Sequence, residues 1–398
     1  MRLSFVCSVV MGLALTGAAH AQISVKLGVL NDRSGVYSDL TGEGSVVAAR
    51  MAVEDFKAAE KGITVDIVAA DHQNRPDIGA SITRQWYDQD GVDAILDVPT
   101  SSVALAVNTI TRERNRIFIN SGGGTSDLTG PQCSPNTVHW TYDTWALANG
   151  TSTAMVQRGA DTWFFLTADY AFGHALERDA VAKVTKAGGK VLGTVRHPFP
   201  GQDFASFILQ AQSSGAKVIG FANAGGDFVN GMKQAAEFGV IQGGQKLAGL
   251  LTTVIDVHSL GLQTAQGLVL TEGFYWDMND RARAWTKRFV DKSGGKIPSM
   301  VHAGVYDGVL HYLKAVEALK DKDATKVIAK MKETPTDDLF GKGRIRPDGR
   351  KIHDMYVFEV KKPSESKGEW DLYKVIATIP AEQAFRPMSE GGCPLVKS

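Results

Sequence analysis

Twice along its length the chain alternates short β-rich runs with helix-like segments, and this alternation constrains the fold more than any other feature. The first series predicts strands over Val25–Leu30, Thr64–Ala70, Ala94–Leu96 and Ile117–Ile119. Helices are predicted between them, over Glu43–Lys61, Asp77–Gln89 and Ser102–Arg114. A helix, Asp143–Arg158, opens the second series. Strands follow at Thr162–Leu166, Val191–Arg196, Val218–Ala222, Leu247–Leu251 and Leu268–Leu270, with helices near Gly173–Ala187, Phe204–Ser213 and Gly226–Phe238. Strand and helix at this spacing imply right-handed βαβ units and parallel sheets. The expected class is α/β, with two doubly wound parallel-sheet lobes. A third stretch is mostly helical (Asp280–Ser293, Ser299–Leu319, Ala324–Lys332) and is expected to cover the open face of lobe one. Strands at Met355–Val360 and Tyr373–Ile379 close the pattern.

The N-terminus supplies an address. Arg2 precedes an uncharged, apolar run from Leu3 to Thr16, and Ala19-His20-Ala21 offers small residues where a signal peptidase cuts. The run is shorter than the roughly 20 residues a membrane span needs, so a signal peptide cleaved after Ala21 is expected, with a periplasmic mature protein. Of the 3 cysteines, Cys7 is lost with the leader. Cys133 and Cys393 remain, each beside proline in a loop-like context. In an oxidising compartment they are read as one disulfide tying the C-terminal tail to the first lobe; two free buried thiols are the other reading. Lys plus Arg (43) equals Asp plus Glu (43), so no net field draws nucleic acid or an anionic membrane.

In open parallel sheets ligands sit beyond the carboxyl ends of strands, beside helix N-termini. Two such loops suit an anion. Ser101 and Ser102 open a predicted helix, and Gly122–Thr125 lets backbone approach a ligand. Taken singly they are an N-cap and a turn; together at neighbouring sheet ends they suit a carboxylate. Asn223 ends another strand. Dinucleotide and phosphate loops, zinc-protease helices and hydrolase elbows are absent from the sequence. No histidine lies at metal-ligand spacing from a cysteine. No enzyme activity, metal or cofactor is therefore expected.

Four segments carry a resemblance: KLGVLNDRSGVYSDLTG near residue 26, DVPTSSVALAV near 97, INSGGGTSDLTG near 119 and ADYAFGHALERDA near 168. In this order and spacing the chain resembles the leucine/isoleucine/valine-binding protein family, the type I periplasmic receptors of ABC importers. The resemblance also extends to its aromatic-acid-binding subgroup. It implies a three-segment hinge near Thr141–Asp143, Thr271–Phe274 and Leu339–Arg344. Lobe one would comprise residues 22–141 plus 273–339, and lobe two residues 142–272 plus 340–398. It implies a carboxylate site at Ser101, Gly123 and Thr125, with Phe172 covering the ligand and Tyr37 facing the cleft. The partner implied is an inner-membrane ABC permease, and the receptor is expected to be monomeric.

One departure bears on the ligand. Where amino-acid-binding members carry an acid for the ligand ammonium, this chain reads Ala248-Gly249-Leu250-Leu251-Thr252-Thr253, with no carboxylate before Asp256. A buried unpaired ammonium is costly. The expectation is a small carboxylate, favoured as an aromatic acid, held in an aromatic box of Tyr37, Tyr170, Phe172 and the Phe274-Tyr275-Trp276 run. Ordinary packing is the other reading of that run. A branched-chain or other apolar amino acid and a ligand-presenting sensor subunit are the alternative functions.

Overall fold

The computed structural model describes residues 22–396. The leader, Cys7 and the cleavage position after Ala21 lie outside them. The first series runs β1 (Ile23–Asn31), α1 (Gly42–Phe56), β2 (Ile63–Asp71), α2 (Pro76–Asp88), β3 (Ala94–Asp97), α3 (Ser101–Glu113), β4 (Ile117–Asn120) and β5 (Thr137–His139). These strands form one parallel sheet in the order β2-β1-β3-β4-β5. Val25, Leu27 and Val29 of β1 are all buried, each worth about 1.5–3 kcal/mol of transfer free energy.

The second series runs α4 (Thr144–Gln157), β6 (Thr162–Ala168), α5 (Ala171–Lys186), β7 (Lys190–His197), α6 (Ala205–Ser213), β8 (Val218–Ala222), α7 (Gly225–Glu237) and β9 (Lys246–Gly249). Its parallel sheet has the order β7-β6-β8-β9. Then come α8 (Val254–Leu260), the single turn α9 (Leu262–Ala265), β10 (Val269–Glu272), α10 (Asp280–Lys292), α11 (Met300–Leu319) and α12 (Ala324–Glu333). Helices α10 and α11 pack on α1, so the helical stretch does return to the first sheet. The chain ends in β11 (Thr336–Asp338), β12 (Gly341–Ile345), β13 (Lys351–Ile352), β14 (Met355–Val360) and β15 (Tyr373–Ile379).

Three expectations are corrected. The helix over Glu43–Lys61 stops at Phe56, where Lys57 turns left-handed (φ 56°) and a 3-10 turn follows. Its last residues have helix propensity, but only Ala58 of that turn is buried, and packing rather than propensity sustains a helix. The run Leu268–Leu270 is a strand, but not of the parallel sheet. As part of β10 it pairs antiparallel with β14 in a separate sheet, β10-β14-β15. Sequence periodicity also missed β5 and β11–β13, which have two to five residues each and too few positions for a pattern.

Cys133 and Cys393 are bonded, with Cα atoms 5.6 Å apart. The tail is further held where Arg386 Nη2 donates to the Ser126 carbonyl at 2.9 Å. Between the lobes lies a set of buried charges. Arg350, fully buried, donates to the Tyr142 carbonyl (2.8 Å), lies 3.6 Å from Asp143 and stacks over Phe385 (4.5 Å). Lys351 Nζ sits 2.7 Å from Asp338, between the rings of Trp140 and Phe340.

Candidate ligand-binding cleft

The loop after β1 is shaped by one carboxylate. Asp32 accepts from the backbone N–H of Gly35 (2.7 Å) and Tyr37 (2.8 Å) and from Asn74 Nδ2 (2.7 Å). That turn holds Tyr37 against the second lobe, where its hydroxyl lies 2.5 Å from the Tyr170 hydroxyl. Burial raises the pKa of both phenols well above their ordinary value, so both stay protonated. Phe199, in the loop after β7, stacks on Tyr170 (centroids 4.0 Å apart) and on Tyr37 (5.6 Å). Phe172 lies 6.1 Å from Tyr170.

Backbone completes the closure. Gly226 N–H donates to the Val36 carbonyl at 2.9 Å. The preceding Gly225 has φ +57°, and a Cβ there would lie 2.4 Å from the same oxygen, so glycine is needed on both counts. At Gly124 a Cβ would meet the Phe172 ring at 2.7 Å. A second contact between lobes joins Ser126 Oγ to Asp179 (2.7 Å) and Arg178 to Asp127 (3.0 Å).

The lobes enclose a cavity of about 10 Å³, the size of one water. Lobe one lines it with Tyr37, Leu40, Thr41, Pro99, Gly122 and Val301; Tyr142, Tyr170, Phe172 and Leu251 face them. No lining side chain is an acid or a base. Tyr142 donates to the Gly122 carbonyl at 2.6 Å.

Behind the Pro99 wall, Ser101 and Thr125 come together: Thr125 N–H donates to Ser101 Oγ at 3.1 Å. Neither serine caps α3. The N-cap is Thr100, whose hydroxyl donates to Asn74 and leaves the first turn of the helix without a side-chain cap. Thr125 Oγ1 accepts from Asp127 N–H (3.3 Å), so both hydroxyls act as acceptors and each retains a proton to donate. Ser102 is half-buried, one residue further along the helix. Gly123 lies beside this pair, but its N–H and carbonyl are both taken by the Asn120 amide (2.9 and 2.6 Å), so the turn is satisfied internally.

At the far end Asn223 Nδ2 lies 3.2 Å from His197 Nε2, and its Oδ1 is buried without a partner. Asp227 accepts from Gly201 N–H, and burial pushes its pKa up to about 7. His197 is 3.9 Å away, but burial lowers its pKa, so the two form no ion pair at neutral pH.

Trp276 does not join the cleft. Its Nε1 donates to the Trp370 carbonyl, as does the Tyr275 hydroxyl (2.8 Å each), while Phe274 packs edge-on against Trp285. The three consecutive aromatics are packing, which corrects their part in the aromatic box; Phe199 instead stacks on the Tyr37–Tyr170 pair. Phe199 was discoverable, since it lies two residues past a strand end. Val301 was not: it starts a helix far away in sequence. Burial, and after it the nearby buried acids Asp97, Asp256 and Glu272, raise the pKa of Tyr142. Asp256 spends one oxygen on Thr253 N–H and hydroxyl, and burial raises it to about 6; Glu272 is fully buried, and burial raises it well above the carboxyl range.

Two lobes closing over a small apolar cavity have the architecture of a solute receptor. The chain belongs to the periplasmic binding protein family, whose model matches residues 24–369, and is of the solute-binding class that serves ABC transporters. It is 51% identical to a periplasmic binding protein from Burkholderia mallei, with TM-score 0.92, covering 94% of this chain and 99% of that one. A branched chain amino acid ABC transporter periplasmic ligand-binding protein from Burkholderia xenovorans LB400 is 41% identical, with TM-score 0.83, over 93% and 99% of the two chains. Leu/Ile/Val-binding protein homolog 6 of Brucella melitensis biotype 1 is 27% identical over 361 residues, 87% of this chain and 90% of that protein.

Proposed function

We propose that the protein is exported to the periplasm, cleaved after Ala21, and captures a small apolar monocarboxylate, favoured as an aromatic acid, for an inner-membrane ABC permease. One observation carries this reading: the cavity lining holds no charged side chain, and Leu251 stands where an ammonium-pairing acid is expected. An α-amino acid here would bury its ammonium unpaired, at a cost of several kcal/mol. A carboxylate, by contrast, meets the uncapped start of α3 and the donor protons of Ser101 and Thr125. Tyr37, Tyr170 and Phe172 present flat apolar surface to the rest of the ligand, and Phe199 stacks behind the two tyrosines.

The lobes, 22–141 plus 273–339 and 142–272 plus 340–398 with the C-terminal tail returning to lobe one, close as rigid bodies about three crossings. A ligand of benzoate size needs more than the present cavity, so it enters with the lobes apart and rests between them in a form less tightly closed than this one. Closure is favoured only as far as the ligand binds the closed form better than the open one. The permease then distinguishes closed from open, and a monomer suffices. Calorimetry with benzoate and cinnamate against leucine and valine tests the reading. Micromolar binding of an aromatic acid supports it; tight leucine binding with no response to aromatic acids sinks it. A second reading, an apolar amino acid, is favoured by the Burkholderia xenovorans relative and by Asp256 and Glu272 near Tyr142.

A further inference from the structure

A cavity of about 430 Å³ opens on lobe one, away from the cleft, between α10, α11 and the Thr334–Leu339 segment. That volume is in the range of small-molecule sites. Its apolar walls are Ala284, Leu310, Pro335 and Leu339. Two lining side chains are buried with polar atoms that have no partner, the Trp285 indole N–H and the Thr336 hydroxyl. Such groups cost about 1–3 kcal/mol each when left unpaired.

The charges around it are uneven. Arg288 is spent on Asp55 (2.9 Å), Arg281 on Asp337 (2.7 Å), and Asp338 is matched by Lys351 (2.7 Å). Asp307 is buried and donates no charge, since burial raises its pKa well above the carboxyl range. Lys314 is exposed at the mouth and forms no ion pair among the described residues. The cavity therefore offers a cation at its mouth and apolar walls, with the two unsatisfied polar atoms buried behind its lining.

We propose that this cavity is a second ligand site, separate from the cleft, for a small amphipathic monoanion: a carboxylate near Lys314 with an apolar body against Leu310 and Pro335. The test is photolabelling of the mature protein with 4-benzoylbenzoate, followed by peptide mapping. Saturable labelling within residues 280–292, 300–319 or 334–339 is expected. In Lys314→Glu, a surface change that leaves the fold intact, it should fall at least fivefold while labelling of cleft peptides is unchanged. Leu310→Trp, which fills the cavity, should abolish it. Labelling confined to the cleft peptides, or labelling of these segments that is equal in wild type and Lys314→Glu, overturns the proposal. Because the cleft is read separately, failure here leaves the cleft assignment standing.

Discussion

The hinge and the cleft lie within a few residues of each other and treat charge in opposite ways. Between the lobes Arg350, Lys351 and Asp143 are buried, and each is paired, Lys351 with the half-buried Asp338. A few residues away, the cavity lining is uncharged, and four of its ten residues are aromatic. A buried pair is weak evidence for net stability, but breaking it by removing one partner is strongly destabilising. Such pairs suit a hinge, where fixed partners keep the crossings in register. An uncharged lining does the reverse: under the proposed function the ligand's own charge is met at one end, by Ser101, Thr125 and the start of α3.

The largest expected effect lies on the hinge side. Arg350→Ala leaves Asp143 buried without its cation and should cost about 3–5 kcal/mol of unfolding free energy. Arg350 itself remains charged, though burial lowers its pKa to about 10. Urea denaturation measures the loss; a cost below about 1 kcal/mol would show that the pair is solvated and the contrast false. Next, converting Cys133 and Cys393 to serine should cost about 2–4 kcal/mol, the usual worth of a disulfide closing a long loop. Protease sensitivity confined to the tail is the accompanying readout. In the cleft, Ser101→Ala with Thr125→Val should weaken carboxylate binding by about 2–4 kcal/mol, from charge-assisted hydrogen bonds lost in a dry site. Unchanged affinity in calorimetry rules out this carboxylate pole.

The smallest effect is a slope. Asp227 has a folded pKa of about 7 against an unfolded value near 4. Between those values the folded state binds the extra proton, so this group's contribution to stability is fullest below pH 4 and is lost as pH rises towards 7. Asp227→Asn should flatten that fall by at most about 1.4 kcal/mol per pH unit. Asp256, raised to about 6, contributes with the same sign and keeps the slope from vanishing. A variant whose stability–pH curve superimposes on the parent's would show that Asp227 is solvated.

The meeting of Ser101 and Thr125 was readable in order along the chain. Ser101, Thr125 and Gly123 fall at the ends of adjacent parallel strands, and strand order alone brings such ends together. Phe172 and Tyr170 follow β6 by the same rule, and Phe199 follows β7. Trp276 misled because aromatic residues beside a crossing look alike whether they face a ligand or a core. Which way they face depends on Trp370, whose carbonyl accepts from both Trp276 and Tyr275 across more than ninety residues.

The alternation of strand and helix determined two parallel sheets, because side-chain periodicity and short connections are local properties. Sequence alone also supplied the absence of an acid at Leu251 and the pairing of the only two cysteines after the leader. Tertiary structure decided everything that joins distant segments: β10 turning away to pair with β14, Arg350 settling beside Asp143, and Val301 reaching the cavity. Tertiary structure also left Gly123 satisfied by Asn120, and Ser101 and Thr125 with protons to give. Those outcomes depend on which buried polar groups find partners, and that is settled only when the lobes are packed.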